Sequence, residues 1–216
     1  MNSLLKSACV LRGASLRRGM TLLLAAAAGA VCISGCGDNG AGGGGGGLDY
    51  EGQKYKTAMI NGKRWMAQNM NYEPPNGNSF CLENSLDSCA KYGRLYDWET
   101  AIGICPDGWH VPTREEWGDL AVFAGGSGDY GTEGAAAAKL KSKTGWPGNG
   151  GGTDDFRFSA LPGGHRHADD GFKIDGRGMW WTSTETYRRE MTSDGENVFE
   201  YNSDNRHAFS VRCVKN

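Results

Sequence analysis

The sequence predicts an α+β domain in which helices come before short strands. Helix-capping patterns lie between residues 97 and 142, whereas the chain beyond Thr144 is rich in glycine and has short apolar runs separated by polar loops. Elements that are segregated in this way, rather than alternating, are typical of α+β domains. With 35 glycines among 216 residues, the domain is expected to be rich in loops.

The first predicted element is a β-hairpin. Its strands are expected at residues 54–59 and 63–66, because Asn61-Gly62 between them favours a tight turn of paired strands. A short helix is predicted over residues 97–104, since the aspartate at its start is a good N-cap and the apolar side chains that follow share one face.

The segment CPDGWHVPTREEW at residues 105–117 predicts the start of a second helix. Thr113 is a natural N-cap and Glu116 follows three residues later, which completes a capping box. The tryptophan that ends the segment is expected in the core, and the glycine pair at 125–126 is expected to end the helix. A third helix is predicted over residues 133–142. Short strands are then expected at residues 156–161, 171–174, 179–183, 198–201 and 208–214.

Residues 1–35 are predicted to be a lipoprotein signal peptide. Four basic residues precede an apolar run at 20–34, which is too short for a comfortable membrane span of about 20 residues. The run ends in ISGC, which resembles a bacterial lipobox, in which the thiol of Cys36 is acylated and the chain is cut before it. A plain secretory signal and an uncleaved anchor remain alternatives. Gly37 after the cysteine favours the outer membrane or cell surface.

Residues 36–49 are expected to be a lipidated cysteine and a Gly-rich tether, and residues 50–216 to be the folded domain. Because the first 35 residues hold four of the 23 Lys and Arg and none of the 25 Asp and Glu, the exported chain keeps 19 basic against 25 acidic residues, a net charge of −6. The charges are scattered, so nucleic acid is not an expected partner. Membrane association is expected through the lipid anchor.

Five further segments carry a family resemblance. They are INGKRWMAQNM at 60–70, YGRLYDW at 92–98, FSALPGG at 158–164, WWTSTE at 180–185 and FSVRCVK at 209–215. Together with the segment at 105–117, and in this order, they resemble the Fibrobacter succinogenes major paralogous domain over about residues 50–216. This resemblance implies a secreted or surface-anchored protein without an established activity. Its helix entry is similar to those of C-type-lectin-like and formylglycine-generating-enzyme-like domains, which implies a C-type-lectin-like fold with two or three helices and short antiparallel strands.

Four cysteines remain once Cys36 is lipidated, and four cysteines allow three pairings. Cys81 and Cys89 are close in sequence and flank a polar segment expected to be a loop, so they are expected to pair locally. That leaves Cys105 to join Cys213. The competing interpretation is a metal or catalytic thiol pair. Formylglycine-generating enzymes use a cysteine pair in the C-terminal part, whereas this chain has one cysteine there.

Metal-binding side chains are sparse. His165 and His167 would point to one side of a strand, as a metal pair does, but no third ligand has a convincing spacing. His110 is expected to bond the backbone of its own turn. Clustered aspartates in Gly-rich loops leave calcium as an alternative, although no calcium-loop motif is present. They are Asp154, Asp155, Asp169, Asp170 and Asp175. The expectation is therefore no cofactor and no metal.

Aromatic side chains are the stronger indication of a binding surface. Trp180 and Trp181 are adjacent, and adjacent side chains of a strand face opposite ways. One ring is thus expected in the core and the other in an exposed groove with Trp146, Tyr187 and Tyr201, where flat rings suit sugars or protein partners. The alternative is that both rings pack internally.

These observations favour a surface-anchored lipoprotein with a non-catalytic binding module for polysaccharide or protein. Two other functions remain open. The first is an enzyme on a formylglycine-generating-like scaffold, for which the expected thiol pair is missing. The second is a structural envelope lipoprotein without a small ligand.

Overall fold

The structure, a computed structural model, describes residues 47–216. The predicted signal peptide, Cys36 and nearly all of the predicted tether lie outside the described residues. The helices are α1 (Leu86–Tyr92), α2 (Trp98–Ala101), α3 (Arg114–Phe123) and α4 (Ala136–Leu140). The strands are β1 (Gly47–Tyr50), β2 (Gln53–Ile60), β3 (Lys63–Met66), β4 (Ser79–Phe80), β5 (Leu95–Tyr96), β6 (Trp109–His110), β7 (Gly126–Ser127), β8 (Glu133–Gly134), β9 (His165–His167), β10 (Gly171–Lys173), β11 (Arg177–Trp181), β12 (Tyr187–Thr192), β13 (Phe199–Asn202) and β14 (Val214–Lys215).

The architecture is α+β, as the sequence predicted. A five-stranded sheet has the order β1-β2-β3-β14-β6, so the final strand lies between the first hairpin and the strand before α3. A three-stranded antiparallel sheet, β11-β12-β13, and three two-stranded pairs complete the strands. The predicted hairpin is confirmed: Ile60 pairs with Lys63, and Asn61 and Gly62 both have positive φ at the turn. None of the helices in residues 47–216 is long and apolar enough to cross a membrane.

The predicted start of the second helix is confirmed in detail. The Thr113 hydroxyl accepts a hydrogen bond from the Glu116 backbone at 3.1 Å, and the Glu116 carboxylate accepts one from the Thr113 backbone at 3.0 Å. The helix places Trp117 in a fully buried aromatic cluster with Trp65 and Phe158, at ring-centroid distances of 5.5 and 5.7 Å. The capping box therefore fixes where the main core helix begins.

Two apolar cores lie on the two sides of β11. One contains Trp65, Trp117, Phe158, Trp180 and Val214 and is covered by α3 and α4. The other contains Tyr96, Met179, Trp181, Phe209 and Cys213. The expectation that either Trp180 or Trp181 is exposed is wrong, because both rings are fully buried. The strand does turn them to opposite faces, but packed side chains cover each face.

Other elements differ from the sequence prediction. The segment between Cys81 and Cys89 was expected to be a loop, but α1 begins there with Ser85 as its N-cap. The helix expected over 97–104 is shorter and comprises Trp98–Ala101. The helix expected over 133–142 is also shorter and comprises Ala136–Leu140. The strand expected at 156–161 is a loop with one isolated β-bridge, between Ala160 and Lys141.

Both predicted disulfides are present. Cys81 bonds to Cys89, and Cys105 bonds to Cys213 across a sequence separation of 108 residues. Cys213 directly precedes β14, and Cys105 lies shortly before β6. The second bond therefore joins two regions that also pair in the five-stranded sheet.

Candidate functional site

The side chain of Asn69 connects four segments of the domain. Its Oδ1 accepts hydrogen bonds from Arg212 Nε at 2.8 Å and from Trp180 Nε1 at 2.9 Å. Its Nδ2 donates to the Tyr92 carbonyl at 2.8 Å and to the Ser210 hydroxyl at 3.2 Å. Each of these residues lies in or next to one of the sequence motifs that carried the family resemblance, so the motifs converge on one buried polar centre.

Arg212 is a buried cation held by backbone oxygens. Its guanidinium donates to the carbonyl of Phe158 and, at 3.0 Å, to the carbonyl of Ser159. Among residues 47–216 it forms no ion pair with a carboxylate. Burial lowers the pKa of Arg212 to about 9, and the more distant charge of Asp154 opposes this effect. The side chain therefore remains charged at neutral pH.

Asp154 stabilises the loop whose carbonyls bind Arg212. Its carboxylate accepts hydrogen bonds from the Ser159 backbone and the Ser159 hydroxyl, both at 2.7 Å. Asp154, Arg157 and Ser159 all have positive φ, so this loop has a backbone that neither a helix nor a strand provides. This backbone places the carbonyls of residues 158 and 159 against Arg212.

A cleft of about 280 Å³ lies over this centre. Its lining includes residues from the start of β2, the segment after β3, the end of α1, and the loops around residues 142–144 and 159–161. Side-chain amides and hydroxyls predominate among its polar groups. They belong to Gln53, Gln68, Asn69, Asn71, Ser142, Thr144 and Ser159. Tyr92 contributes an aromatic ring, and the Lys91 ammonium lies 4.7 Å from that ring's centroid.

The charges that line the cleft are positive. They belong to Lys54, Lys56, Lys91 and Arg212, and no Asp or Glu is among the described residues that line it. Lys54 faces Asp49 at 3.7 Å, but both side chains are strongly exposed, so water screens this pair. The cleft therefore has an excess of positive charge in a domain whose overall charge is negative.

Three of the predicted binding residues lie in the core. Trp146, Trp180 and Trp181 are buried, and each indole N–H has a partner inside the fold. Trp146 donates to the Ala160 carbonyl at 2.9 Å and Trp181 to the Tyr96 carbonyl at 2.7 Å. The predicted groove containing one of these rings is therefore not formed.

The two predicted tyrosines lie on opposite faces of the β11–β13 sheet. Tyr201 pairs across the strands with Arg188, and Tyr187 pairs with Asn202. Tyr201 is 45% exposed, and the Arg188 guanidinium lies 4.9 Å from its ring centroid. The sequence prediction grouped Tyr187 with Tyr201, but the register of the two strands separates them.

Tyr187 lies in a cluster with Arg114 and Tyr130. The Arg114 guanidinium carbon is 3.9 Å from the ring centroid of Tyr130 and 4.3 Å from that of Tyr187. Arg114 Nη2 lies 2.6 Å from Glu200 Oε1, and the hydrogen bond to this carboxylate raises the pKa of Arg114. The result is a half-exposed stack of rings around a fixed cation. The sequence alone did not reveal it, because Tyr130 lies in a different part of the chain from Tyr187.

The histidines do not form a metal centre. The ring of His167 packs on that of His207 with centroids 4.1 Å apart, whereas His165 packs near Phe209. Within residues 47–216, no group of three or more His, Cys, Asp or Glu side chains has a metal-binding arrangement. Four of the aspartates considered for calcium have other partners. Asp154 bonds Ser159, and Asp175 pairs with Arg177 at 3.1 Å. Asp169 lies 3.6 Å from Arg206, and Asp170 lies 3.7 Å from His167.

His110 bonds side chains rather than the backbone of its turn, contrary to expectation. Its Nε2 lies 2.7 Å from Glu116 Oε2, and its Nδ1 lies 2.5 Å from the Asn216 side-chain oxygen. Lys63 also donates to Glu116 at 2.7 Å. Burial raises the pKa of Glu116, but the hydrogen bonds from Lys63, the Thr113 backbone and His110 outweigh it and bring that pKa below its usual value. This cluster ties β3, β6 and the chain end to the start of α3.

The motifs that meet at Asn69 all lie in a region of the chain that matches a family model. The family model of the Fibrobacter succinogenes major domain matches residues 59–215. The chain belongs to this family. No curated protein and no solved structure matches the chain. The matched region of this Fibrobacter succinogenes major domain contains the Asn69 centre and most of the cleft lining.

Proposed function

We propose that this protein is an exported lipoprotein whose folded domain is a non-catalytic module that binds a polysaccharide in the cleft over Asn69. One observation carries the proposal: amides, hydroxyls and the ring of Tyr92 line the same concave site. Sugars present many hydroxyl groups and flat apolar faces, so amides and hydroxyls provide hydrogen bonds and an aromatic ring provides a stacking surface.

Anchoring and location are part of the proposal. A signal peptide at residues 1–35, acylation of Cys36 and a tether at residues 36–49 would hold the domain on the outer membrane or cell surface. The pattern of basic, apolar and small residues before Cys36 supports this. Cys36→Ala should abolish incorporation of labelled palmitate and release the protein from membranes. Labelling that persists in this variant would contradict lipidation at Cys36.

A C-type-lectin-like fold is the finer proposal for the architecture. Its support is the combination of helices early in the domain, short curled antiparallel sheets and long loops. The disulfide between Cys105 and Cys213 favours binding over the formylglycine-generating type of catalysis, because the C-terminal cysteine is engaged in a structural bond rather than being a free thiol.

Binding can be measured with the full chain in a neutral detergent, by affinity electrophoresis through gels that contain different soluble polysaccharides. Gln68→Ala removes a side-chain amide from the cleft together with the exposed acceptor of the Lys56 backbone N–H. We expect it to weaken binding about tenfold with only a small decrease in the melting temperature. Asn202→Ala, on the exposed edge strand β13, is the matched control and should bind normally. Equal losses in both variants, or no retardation by any polysaccharide, would overturn the proposal.

A protein partner is the second candidate, and the stack of Arg114 between Tyr130 and Tyr187 favours it. Arginine and tyrosine are enriched among residues that dominate protein interfaces, and a cation already fixed by Glu200 loses little freedom on binding. A partner isolated by crosslinking on intact cells should lose affinity for Tyr187→Ala and keep it for Gln68→Ala. The reverse pattern would assign recognition to the cleft.

A further inference from the structure

We infer that the ligand of the cleft is an acidic polysaccharide, in which carboxylate or sulfate groups are carried on the sugar rings. This inference rests on the proposed function, since it names the class of sugar that the same site would accept. Its basis is the charge of the lining, which comprises three lysines and a buried arginine without a carboxylate among the described residues that line it.

The lysines approach the cleft from two elements. Lys54 and Lys56 are alternate residues of β2 and therefore project from the same side of that strand, with Tyr55 buried between them. Lys91 lies in the last turn of α1, and its ammonium group rests near the ring of Tyr92. A sugar ring at the edge of Tyr92, beside the ammonium group that covers the ring face, would thus present a charged substituent within reach of that ammonium group.

Arg212 supplies a further, buried positive charge in the lining of the cleft. Its guanidinium is already occupied by Asn69 and two carbonyls, so it would act on the ligand through its field rather than by direct contact. Burial weakens screening by water, so the field of this charge extends further than that of a surface lysine. The lowered pKa of Arg212 agrees with a cation whose burial is incompletely offset by the protein.

The rest of the chain opposes general binding of polyanions. The exported chain has 19 basic against 25 acidic residues, so the positive charge of the cleft is local. A polyanion without sugar-like hydroxyls would meet repulsion from the surroundings and would leave the amides unused. An acidic sugar uses both the lysines and the amides, so the two features of the lining point to one ligand.

Two pairs of matched polymers test the inference on the full chain in neutral detergent. They are oligogalacturonate with its methyl ester, and dextran sulfate with dextran. Each pair keeps the sugar and changes the charge. We expect the acidic member of at least one pair to bind at least tenfold more tightly than its neutral counterpart, and the pair that shows this identifies carboxylate or sulfate as the recognised group. Binding should weaken with added salt.

A double variant and a matched control locate the charge. Lys56→Gln with Lys91→Gln should reduce the affinity for the acidic polymer about tenfold and leave the melting temperature unchanged. Lys173→Gln with Lys215→Gln removes the same charge from two strand positions, one partly buried and one exposed, that do not line the cleft, and should leave affinity unchanged.

Three results would overturn the inference while leaving polysaccharide binding intact. The first is equal affinity for the neutral and acidic members of both pairs. The second is an equal loss in the two double variants, which would indicate non-specific attraction. The third is tighter binding of single-stranded DNA than of either acidic polymer. Failure to bind any of the four polymers would instead count against the proposed function itself.

Discussion

Replacement of Asn69 by alanine should remove much of the domain's stability. The substitution leaves two buried donors, Trp180 Nε1 and Arg212 Nε, without their acceptor. A buried unsatisfied donor costs about 1–3 kcal/mol, and a charged one costs more. The Tyr92 carbonyl and the Ser210 hydroxyl each lose a donor as well. Together these effects predict a loss of about 3–6 kcal/mol, compared with a total of about 5–15 kcal/mol for a typical domain.

The measurement is urea unfolding, followed by tryptophan fluorescence with both disulfides intact. Asn69→Asp is a graded comparison. It keeps an acceptor for Trp180 and Arg212 and adds a negative charge that can pair with Arg212, but it loses the donor to the Tyr92 carbonyl and the Ser210 hydroxyl. It should therefore cost less than Asn69→Ala. A double-mutant cycle between Asn69→Ala and Trp180→Phe should show a coupling energy of about 1 kcal/mol or more. Asn202→Ala, at an exposed position, is the control. A loss below about 1 kcal/mol for Asn69→Ala would refute the assignment of Asn69 as the structural centre.

Four other expectations concern stability. Thr113→Ala should lower the free energy of unfolding by about 1 kcal/mol through loss of the cap. Trp117→Ala should lower it by about 3–5 kcal/mol through loss of a fully buried ring. Denaturant melts that show no change for Trp117→Ala would contradict its place in the core. Replacing Cys105 and Cys213 by alanine should cost about 5 kcal/mol, because the bond closes a loop with a separation of 108 residues, and a melting temperature within a few degrees of the wild type would contradict this. Burial lowers the pKa of His165 from 6.5 to about 4, so the unfolded chain binds the proton more readily and stability should fall as pH drops from 6.5 to 4; a His165→Phe variant with an unchanged pH slope would show that other groups are responsible.

Some features could be predicted because their signals are local. The capping box needs only Thr113 and Glu116, three residues apart, and the hairpin needs only Asn61-Gly62 between two apolar strands. A comparable local signal was present but overlooked at α1. Ser85 caps that helix and accepts from the Ser88 backbone, yet the polar residues between the two cysteines suggested a loop.

The candidate site was missed for the opposite reason. Gln68, Asn69 and Arg212 all lie in motifs recognised in the sequence, and Arg212 is a charged residue inside an apolar strand-like run, which indicates a buried partner. The partner itself could not be read from spacing, since Asn69 and Arg212 are 143 residues apart. The prediction of a tryptophan groove instead named Trp146, Trp180 and Trp181, which are buried in the core.

The sequence by itself determined the α+β class, the family, the main helix start and the pairing of the four cysteines. The class, the family and the helix start depend on residues that are near neighbours in the chain or on motifs that keep their order. The pairing of Cys105 with Cys213 followed once Cys81 and Cys89 were expected to pair locally. Tertiary structure decided which tryptophans are buried, which face of the β11–β13 sheet each tyrosine occupies, and where the positive cleft lies. These outcomes depend on which segments pack against each face of a strand. Such segments come from distant parts of the chain, so local sequence patterns do not show whether a side chain is buried.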